Sequence, residues 1–530
     1  MKPPPPPLRA SILLILPIML VGLVARGPTP ASEQMVTIPL GSNKQLLFDQ
    51  LFLEKSQGIH LRVNVPYQEP EPVLIADKPW EGLGIGAYNT VMREDGRFRM
   101  WYDALAPDGG AEKGSDAAPT GSRRMLCYAE SNDGIHWEKP VLGLIPYRDF
   151  NRTNIVAPPS KGANQQGASV FRDDGAPASE RYKLWTKYHP SEAEQRRGLR
   201  VGLWAMVSPD GLRWKLLKDG YPLRRGNAAD SQHTCFWDSD VGKYVGFVRM
   251  KTLRTNERQR TCSVGLLTSK DFRNWTHAQE VFRADEQIPA PTGVDLDSPP
   301  FVDLYTPGGM KVPGVANAYI LLPTPYYHWG KDGSPSTIDV GLATSRDRAH
   351  WWRPLDPEPF LRLGLDGMPN SGMLFANPWL IPVDDEIWIY YAGTGRSHGQ
   401  SVQAPSRTGI FRARLRRDGF VSADAGYRGG EFTTPVVTFQ GDRLRLNLDG
   451  SAGGWLQVEL LSPRGEPIFG YRQTECDTIR GNSLQRIVTW QGESEVSKLA
   501  GQPIRLRFVM RSMKLYAFQF GAEESGFRDG

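Results

Sequence analysis

The sequence predicts an all-β chain, a five-bladed β-propeller over residues 32–425 followed by a C-terminal β-sandwich over residues 426–522. Two observations lead there. A short turn motif recurs along the first part of the chain, each copy preceded by the same succession of strands. After about Gly426 the motif stops, and alternating apolar and polar stretches take over.

The motif reads S-x-D-x-x-x-W. It occurs as SNDGIHW from Ser131, SPDGLRW from Ser208, SKDFRNW from Ser269 and SRDRAHW from Ser345, with a degenerate fifth copy, RRDGF, from Arg416. Each copy follows a short apolar strand: MLCYAE, GLWAMV, SVGLLT, DVGLAT and GIFRARL. Before each of these lies an aromatic-rich strand: RFRMWYDA, RYKLWTKY, KYVGFVRM, AYILLPTPYY and EIWIYYAG. A further strand opens each unit: YNTVMRED, ASVFRDDG, QHTCFWDS, SPPFVDLY and ANPWLIPV. Five strand–strand–strand–turn units at intervals of 61 to 77 residues fit five blades. In the turn, Ser and Asp side chains are suited to bind backbone amides, and Gly134 and Gly211 supply a permissive backbone. The Trp then packs between neighbouring blades, so the motif is structural rather than catalytic. The segment QLLFDQLFLEK from Gln45 is expected to lend a strand that closes the ring against the fifth blade. Beyond Gly426, RLRLNL, GWLQVELL, QRIVTW, PIRLRFVM and KLYAFQF read as the strands of the sandwich, with 523–530 as a tail.

Composition narrows the function classes. The 63 Lys and Arg nearly balance 58 Asp and Glu, and only the run from Arg412 to Arg417 concentrates positive charge, so no nucleic-acid partner is expected. The 15 Trp, 18 Tyr and 21 Phe, with 55 Gly and 43 Pro, suit many short strands joined by turns. Lys2 and Arg9 precede an apolar run from Ala10 to Ala25, broken by Pro17. Residues 1–31 therefore read as an export signal, placing the mature chain as secreted or periplasmic with no membrane span; a retained anchor is the competing reading. Cys127, Cys235, Cys262 and Cys476 match no zinc spacing and read as buried thiols. Asn151 and Asn274 open glycosylation sequons. The chain contains no His-x-x-x-His, G-x-S-x-G or phosphate loop, which disfavours zinc chemistry, serine hydrolysis and nucleotide binding.

With the repeats in place, residues from about Leu46 to Phe520 resemble the secreted propeller-plus-sandwich proteins related to glycoside hydrolase families 32 and 43. The carrying segments are LCYAESNDGIHWEKPVLGL, ERYKLW, RRDGFVSAD, GWLQVELLSPRGEPIFGY and GQPIRLRFVMRSMKLYAFQF. The resemblance implies a central funnel that takes furanose-type or related sugars, with acids on the innermost strands of the first three blades. Here the first of those strands carries Asn89 where an acid is expected, the second, QQGASVF, opens without one, and the third supplies Asp230. The turn motif is also similar to the sialidase box, but has one residue fewer between Asp and Gly.

Starts of innermost strands face a propeller's funnel, which ranks the polar residues there. Asp230 is the leading catalytic candidate, against the alternative of a turn aspartate, and His233 is either a pocket residue or an interior histidine. Asp295 and Asp297 share one face of an extended strand, a spacing suited to acid/base work or to calcium, though loop aspartates also occur in this pattern. Glu81, just before the first innermost strand, is the nearest acid to replace the missing one. The catalytic set is thus Asp230, Glu81 and Asp297, with no metal ligand and no cofactor beyond the calcium reading. Sugar-contacting candidates are Asn89, Tyr102, His233, Arg249, Asp295, Tyr327, His328 and His398, with Tyr88, Asp103, Tyr326 and Trp329 beside them; blade packing competes for each. The expected function is hydrolysis of glycosidic bonds in a poly- or oligosaccharide by a carboxylate pair, the alternative being a carbohydrate-binding propeller that has lost its acids.

Overall fold

The four complete turn motifs fold as their side chains dictate. Ser131 Oγ accepts the amides of Asp133 and Gly134 (3.2 and 2.9 Å), while Asp133 Oδ1 accepts those of Ile135 and His136 (both 2.8 Å). The same pattern recurs at Ser208 and Asp210 and at Ser345 and Asp347, and Ser269 and Asp271 repeat it with Ser269 Oγ on the Asp271 amide. The residue after the aspartate has positive φ in all four, and is Gly134 (70°), Gly211 (75°), Phe272 (63°) and Arg348 (71°). The two non-glycine copies hold a left-handed residue that the turn's side-chain bonds must stabilise.

The computed structural model describes residues 36–107, 123–158, 160–217, 223–225, 230–253, 260–284, 301–328, 336–353, 358–377, 379–398 and 408–521. These are almost entirely strand and turn, with a short α-helix at Glu192–Arg196 and a few single turns of 3-10 helix. Residues 1–31, expected from sequence to be an export signal, lie outside them. No helix among the described residues is long and apolar enough to cross a membrane.

Each of the first three sequence repeats forms an antiparallel sheet of its own, whereas the fourth and fifth share one sheet through a parallel pairing of Ser336–Ile338 with Met373–Ala376. The first contains Gly84–Glu94, Arg97–Ala106, Arg123–Ser131 and Ile155–Ala157; the second contains Asn164–Arg172, Tyr182–His189, Gly202–Ser208 and two short strands. The third contains Thr234–Asp238, Lys243–Leu253, Arg260–Ser269 and Gln279–Arg283. The fourth departs from expectation. The run AYILLPTPYY breaks into Tyr319–Leu321 and Pro325–His328, which pair with different partners, Gly309–Lys311 and Phe301–Leu304. Pro323 and Pro325 lack the N–H that a continuous ladder needs. The fifth contains Met373–Ala376, Ile381–Val383, Glu386–Thr394 and Thr408–Arg416.

Apolar cores lie between consecutive sheets. Trp101, Leu126, Leu184 and Met206 join the first to the second; Trp185, Leu203, Val248 and Leu267 join the second to the third. Phe247, Val264, Tyr319 and Leu321 join the third to the fourth, and Met310, Ile320, Ile389 and Phe411 join the fourth to the fifth. Met100, Tyr102, Tyr390 and Ile410 join the first to the fifth. The turns reinforce these contacts: Trp101 Nε1 donates to Gly211 O (2.7 Å), Trp275 packs on Trp185 (4.6 Å), Trp351 on Phe247 (5.8 Å), and Tyr390 Oη donates to Gly134 O (2.7 Å).

Beyond Gly419 two further sheets share one core. One holds Asn482–Ile487, Arg443–Asp449, Met513–Gly521, Val421–Ala425 and Ile59–Val63; the other holds Lys55–Gln57, Gly430–Thr433, Arg505–Arg511 and Trp455–Leu461. Arg505–Arg511 alternates strictly, burying Leu506, Phe508 and Met510 against Phe432 and Phe518. The N-terminal segment belongs here. Gln45–Leu46 pairs with Met513–Gly521 rather than with the fifth repeat, and the strands on Thr408–Arg416 are Tyr67–Gln68 and Leu74–Ile75. The strands added to the fifth repeat thus come about 20 residues later than QLLFDQLFLEK, whose Leu47 and Phe52 are buried in the C-terminal core and whose Leu46 and Phe48 are buried in the core that joins the fourth and fifth repeats. All four cysteines are buried and free.

Candidate functional site

A cavity of about 380 Å³ opens where the first strands of several repeats begin, and Asp230 is the one carboxylate among its described lining residues. Asp230 stands just ahead of Thr234–Asp238, and its neighbour Ser231 takes a strained φ of 95° and donates from Oγ to Tyr305 O (2.8 Å). Gly167 makes room for that turn, since a Cβ there would meet Ser231 O at 2.6 Å. The carboxylate is 17% exposed. Its Oδ1 accepts from Gln166 Nε2 (2.6 Å) and Lys187 Nζ (3.1 Å), and Arg249 lies 3.8 Å from Oδ2. Burial pushes the Asp230 carboxyl up, but Lys187 and Arg249 outweigh it and hold the group below the ordinary range. Asp230 is therefore an anion near neutrality, fit to face developing positive charge or to activate a nucleophile, and not to donate a proton.

Aromatic rings, an imidazole and guanidinium groups stand out in the rest of the wall, among small and aliphatic residues. Tyr88, Tyr305, Tyr326 and Phe375 supply rings, and Gln166, Arg124, Arg249, Arg396 and His398 supply polar groups. The Arg249 guanidinium lies 4.4 Å from the centre of the Tyr305 ring. His398 is fixed through both ring nitrogens, Nδ1 to Tyr326 Oη (2.9 Å) and Nε2 to Tyr305 Oη (3.2 Å). Burial, then Arg249 and His328, push His398 below the usual histidine value, so its imidazole is neutral at pH 7. Burial and Asp230 push the Tyr305 phenol up to about 12, which leaves it a hydrogen-bond donor.

Of the residues expected from sequence, Asp230, Arg249 and His398 meet at this cavity, with Tyr88 and Tyr326. Glu81 does not line it. Its carboxylate is fully buried and accepts from Tyr102 Oη (2.6 Å), Lys139 Nζ (2.7 Å), Asp77 N (2.9 Å) and Lys78 N (3.1 Å), so it is spent on fixing the loop before the first strand. Tyr102 is consumed by the same cluster, its oxygen also accepting from Asn154 Nδ2 (2.9 Å). His233 takes the interior role: it is fully buried, and Nδ1 accepts the Arg249 amide (3.1 Å). Asn89 is buried away from the lining, its carbonyl accepting from Gln232 Nε2 (2.9 Å). His328 stands behind Tyr326, with ring centres 3.9 Å apart and Nε2 3.6 Å from Asp303 Oδ2, and Tyr327 also lies outside the lining. Asp295, Asp297 and Trp329 fall outside the described residues, as does any calcium reading of the aspartate pair. No group of three or more His, Cys, Asp or Glu that could hold a metal occurs among the described residues.

Sequence reasoning passed over Gln166, because it sought an acid in QQGASVF, and over Tyr305, Arg124 and Arg396. Position in the repeat was the available signal for Tyr305, which follows the first strand of the fourth unit. Asp103 stands behind the wall. A Cβ on the lining residue Gly86 would come within 2.7 Å of Asp103 Cβ. Its carboxylate accepts from Gly167 N (3.0 Å) and Gln165 Nε2 (3.2 Å), and complete burial pushes it up to about 6.

No family model matches this chain. Two uncharacterized proteins of Mycobacterium tuberculosis, MT1551 (strain CDC 1551 / Oshkosh) and Rv1502 (strain ATCC 25618 / H37Rv), are each 26% identical over 204 residues, 35% of this chain and 55% of theirs. The chain thus spans about half the length of the curated relatives it matches. Among solved structures, an N-acetylgalactosamine deacetylase from F. plautii in complex with blood group B trisaccharide aligns at 14% identity and TM-score 0.41, over 68% of this chain and 96% of that one. A member of the GH130 family of mannoside phosphorylases and hydrolases aligns at 17% and 0.42, over 72% and 99%. A β-1,2-mannobiose phosphorylase from Listeria innocua aligns at 16% and 0.41, over 69% and 98%. Likeness at this level leaves the chemistry to be argued from the cavity.

Proposed function

We propose that this chain is a carbohydrate-active protein of the glycoside hydrolase kind, with its saccharide seated in the Asp230 cavity. The observation that carries the reading is the cavity wall: a single ionised carboxylate among tyrosine rings, a neutral histidine, an amide and arginines. A sugar ring offers hydroxyls that pair with such groups and C–H faces that stack on such rings. In this reading the five repeats are the blades of a propeller. What supports it is the succession of cores, first to second and onward to fifth, with Tyr390 and Gly134 linking fifth to first. The two C-terminal sheets over a common core would then be the sandwich. The N-terminal apolar run places the protein outside the cytoplasm in this proposal.

Hydrolysis requires one carboxylate at the anomeric carbon and one carboxylic acid at the leaving oxygen. Asp230 fills the first role, as base or nucleophile. We assign the second to Asp297, on the sequence pattern alone, with Asp295 as a sugar-contacting candidate. Asp103 is pushed up by burial to about 6 but stands behind Gly86, so its role is to position Gln165 and the Asn164–Arg172 strand. The second reading, a binding protein that does not cleave, is favoured by the single carboxylate in the described lining. Incubation with a glycan panel separates the two. Hydrolysis yields new reducing ends that Asp230→Asn abolishes while retaining the glycan. Retention without product by the parent protein supports the binding reading. A panel on which nothing is retained or cleaved contradicts both.

A further inference from the structure

Asp103, which the sugar chemistry above leaves unused, lies where two irregular strands meet. It sits in Arg97–Ala106 with no exposed surface. Along the neighbouring Gly84–Glu94, Ile85 pairs with Ala104 and Asn89 with Tyr102, so Gly86, Ala87 and Tyr88 all stand opposite Asp103. The second repeat carries a similar irregularity. In Asn164–Arg172, Gln166 pairs with Lys187 and Ser169 with Trp185, which leaves Gly167 and Ala168 opposite Thr186. Bulges of this kind free residues from the ladder and re-aim their side chains. Both of these face the cavity: Gly86, Ala87 and Tyr88 line it, and so does Gln166.

The Asp103 carboxylate grips the second bulge on both sides of Gln166. Its Oδ1 accepts from Gln165 Nε2 (3.2 Å), and its Oδ2 accepts from Gly167 N (3.0 Å), an amide of the bulge itself. Gln165 is fixed at its other end, where Oε1 accepts from Thr186 Oγ1 (2.7 Å). Between these two anchors Gln166 extends its own amide to Asp230 Oδ1 (2.6 Å). The backbone of the bulge also lies against the turn that carries Asp230. A Cβ on Gly167, at φ 69°, would meet Ser231 O at 2.6 Å and Gln232 Cα at 3.1 Å. Gln232 Nε2 then ties Ala168 O (2.7 Å) to Asn89 O (2.9 Å), joining the second bulge to the first. Ser231 holds φ 95°, a conformation that persists only where its surroundings enforce it.

We infer that Asp103 is a positioning residue for Asp230, acting through Gln166 and the Gly167 backbone. This rests on the reading of Asp230 as the carboxylate that meets the sugar. The test follows Asp230 itself, by carbon-13 NMR of the full chain labelled at its aspartate carboxyls, the signal being assigned by its absence from Asp230→Asn. Asp103→Ala leaves Gly167 N and Gln165 Nε2 without their acceptor. Asp230 should then titrate at higher pH than in the parent, because Gln166 no longer holds its anion, and glycan retention should fall about tenfold. Loss of a neighbouring negative charge alone would move the titration the opposite way. Asp103→Asn, which still offers an oxygen to Gly167 N, should recover most of both effects. Gln166→Met should move the Asp230 titration in the same direction, and adding Asp103→Ala to it should move it little further. An Asp230 titration unchanged in folded Asp103→Ala, or shifts that simply add in the double variant, overturns the inference. Asp103→Ser, too short to reach Gly167 N, takes its place if the alanine variant does not fold. Failure of both to fold makes Asp103 a residue of the core alone and equally overturns it. The titration needs no sugar, so a shifted Asp230 with unchanged glycan retention upholds the positioning role and counts against the carbohydrate reading instead.

Discussion

Replacing Glu81 by Gln separates a structural acid from a catalytic one. Glu81 carries no exposed side-chain surface and accepts four hydrogen bonds, from Tyr102 Oη, Lys139 Nζ and the amides of Asp77 and Lys78. A glutamine carbonyl can still accept from one side of this cluster, but its NH2 then faces donors on the other. The substitution also removes one of two anions from Lys139, which is 6% exposed and keeps Asp77 Oδ1 at 2.6 Å and the Ile75 carbonyl at 2.8 Å. Charge-assisted bonds of this kind are worth about 1.5–3 kcal/mol each, and a fully orphaned buried charge costs about 3–5 kcal/mol. With Asp77 still in place, a loss of about 3 kcal/mol is expected. At roughly 2.1 cal/mol/K per residue, the unit Thr37–Gly530 has an unfolding entropy near 1 kcal/mol/K, so Tm falls by about 3 °C. Calorimetry measures this, and glycan binding by the folded variant should match the parent. An unchanged Tm together with lost binding or turnover would show that Glu81 acts at the site and refute the structural assignment.

The remaining expectations follow from specific contacts. His189 has its pKa lowered to about 4, against roughly 6.5 in the unfolded chain, so the unfolded state binds the proton first as pH falls. Stability is therefore lost between pH 6.5 and 4, by at most about 3 kcal/mol, and His189→Gln should flatten that part of a urea-denaturation series; an unchanged slope would contradict the assignment. Gly134→Ala combines a φ of 70° with a Cβ that would meet Tyr390 Oη at 2.6 Å and Trp388 at 2.8 Å, whereas Gly96→Ala, at φ 79°, meets nothing within 4 Å. Gly96→Ala should cost about 1 kcal/mol and Gly134→Ala at least 1 kcal/mol more. Equal costs in denaturation would remove the turn-to-sheet contact that joins the first repeat to the fifth.

The repeats made most of the fold legible. Ser131, Asp133 and their counterparts bind backbone amides within a few residues, so their geometry is local and can be read from spacing alone. The broken fourth sheet was also signalled, by Pro323 and Pro325 inside an otherwise apolar run. The placement of Gln45–Leu46 was not, because both candidate partners are apolar and the choice depends on packing between distant segments. The site was read in part for the same reason. Asp230 stood out because polar residues cluster at the start of its strand. Glu81 misled, since proximity in sequence to an innermost strand says nothing about whether Lys139 and Tyr102 will claim its oxygens. Arg124 and Arg396 begin or end ordinary strands, and only the convergence of the first and fifth repeats brings both to one cavity. Searching the second repeat for an acid hid Gln166, whose amide donates to Asp230 and so belongs to the site without being acidic.

The central claim is that the cavity holding Asp230 is where this protein takes its sugar. A crystal structure of Asp230→Asn with the oligosaccharide best retained on the glycan panel tests it most directly. The account predicts sugar density within hydrogen-bond distance of residue 230, with a ring face against Tyr305 or Tyr88 and His398 on a hydroxyl. Sugar bound elsewhere, on the C-terminal sheets or between them and the repeats, with this cavity free of it, would contradict it.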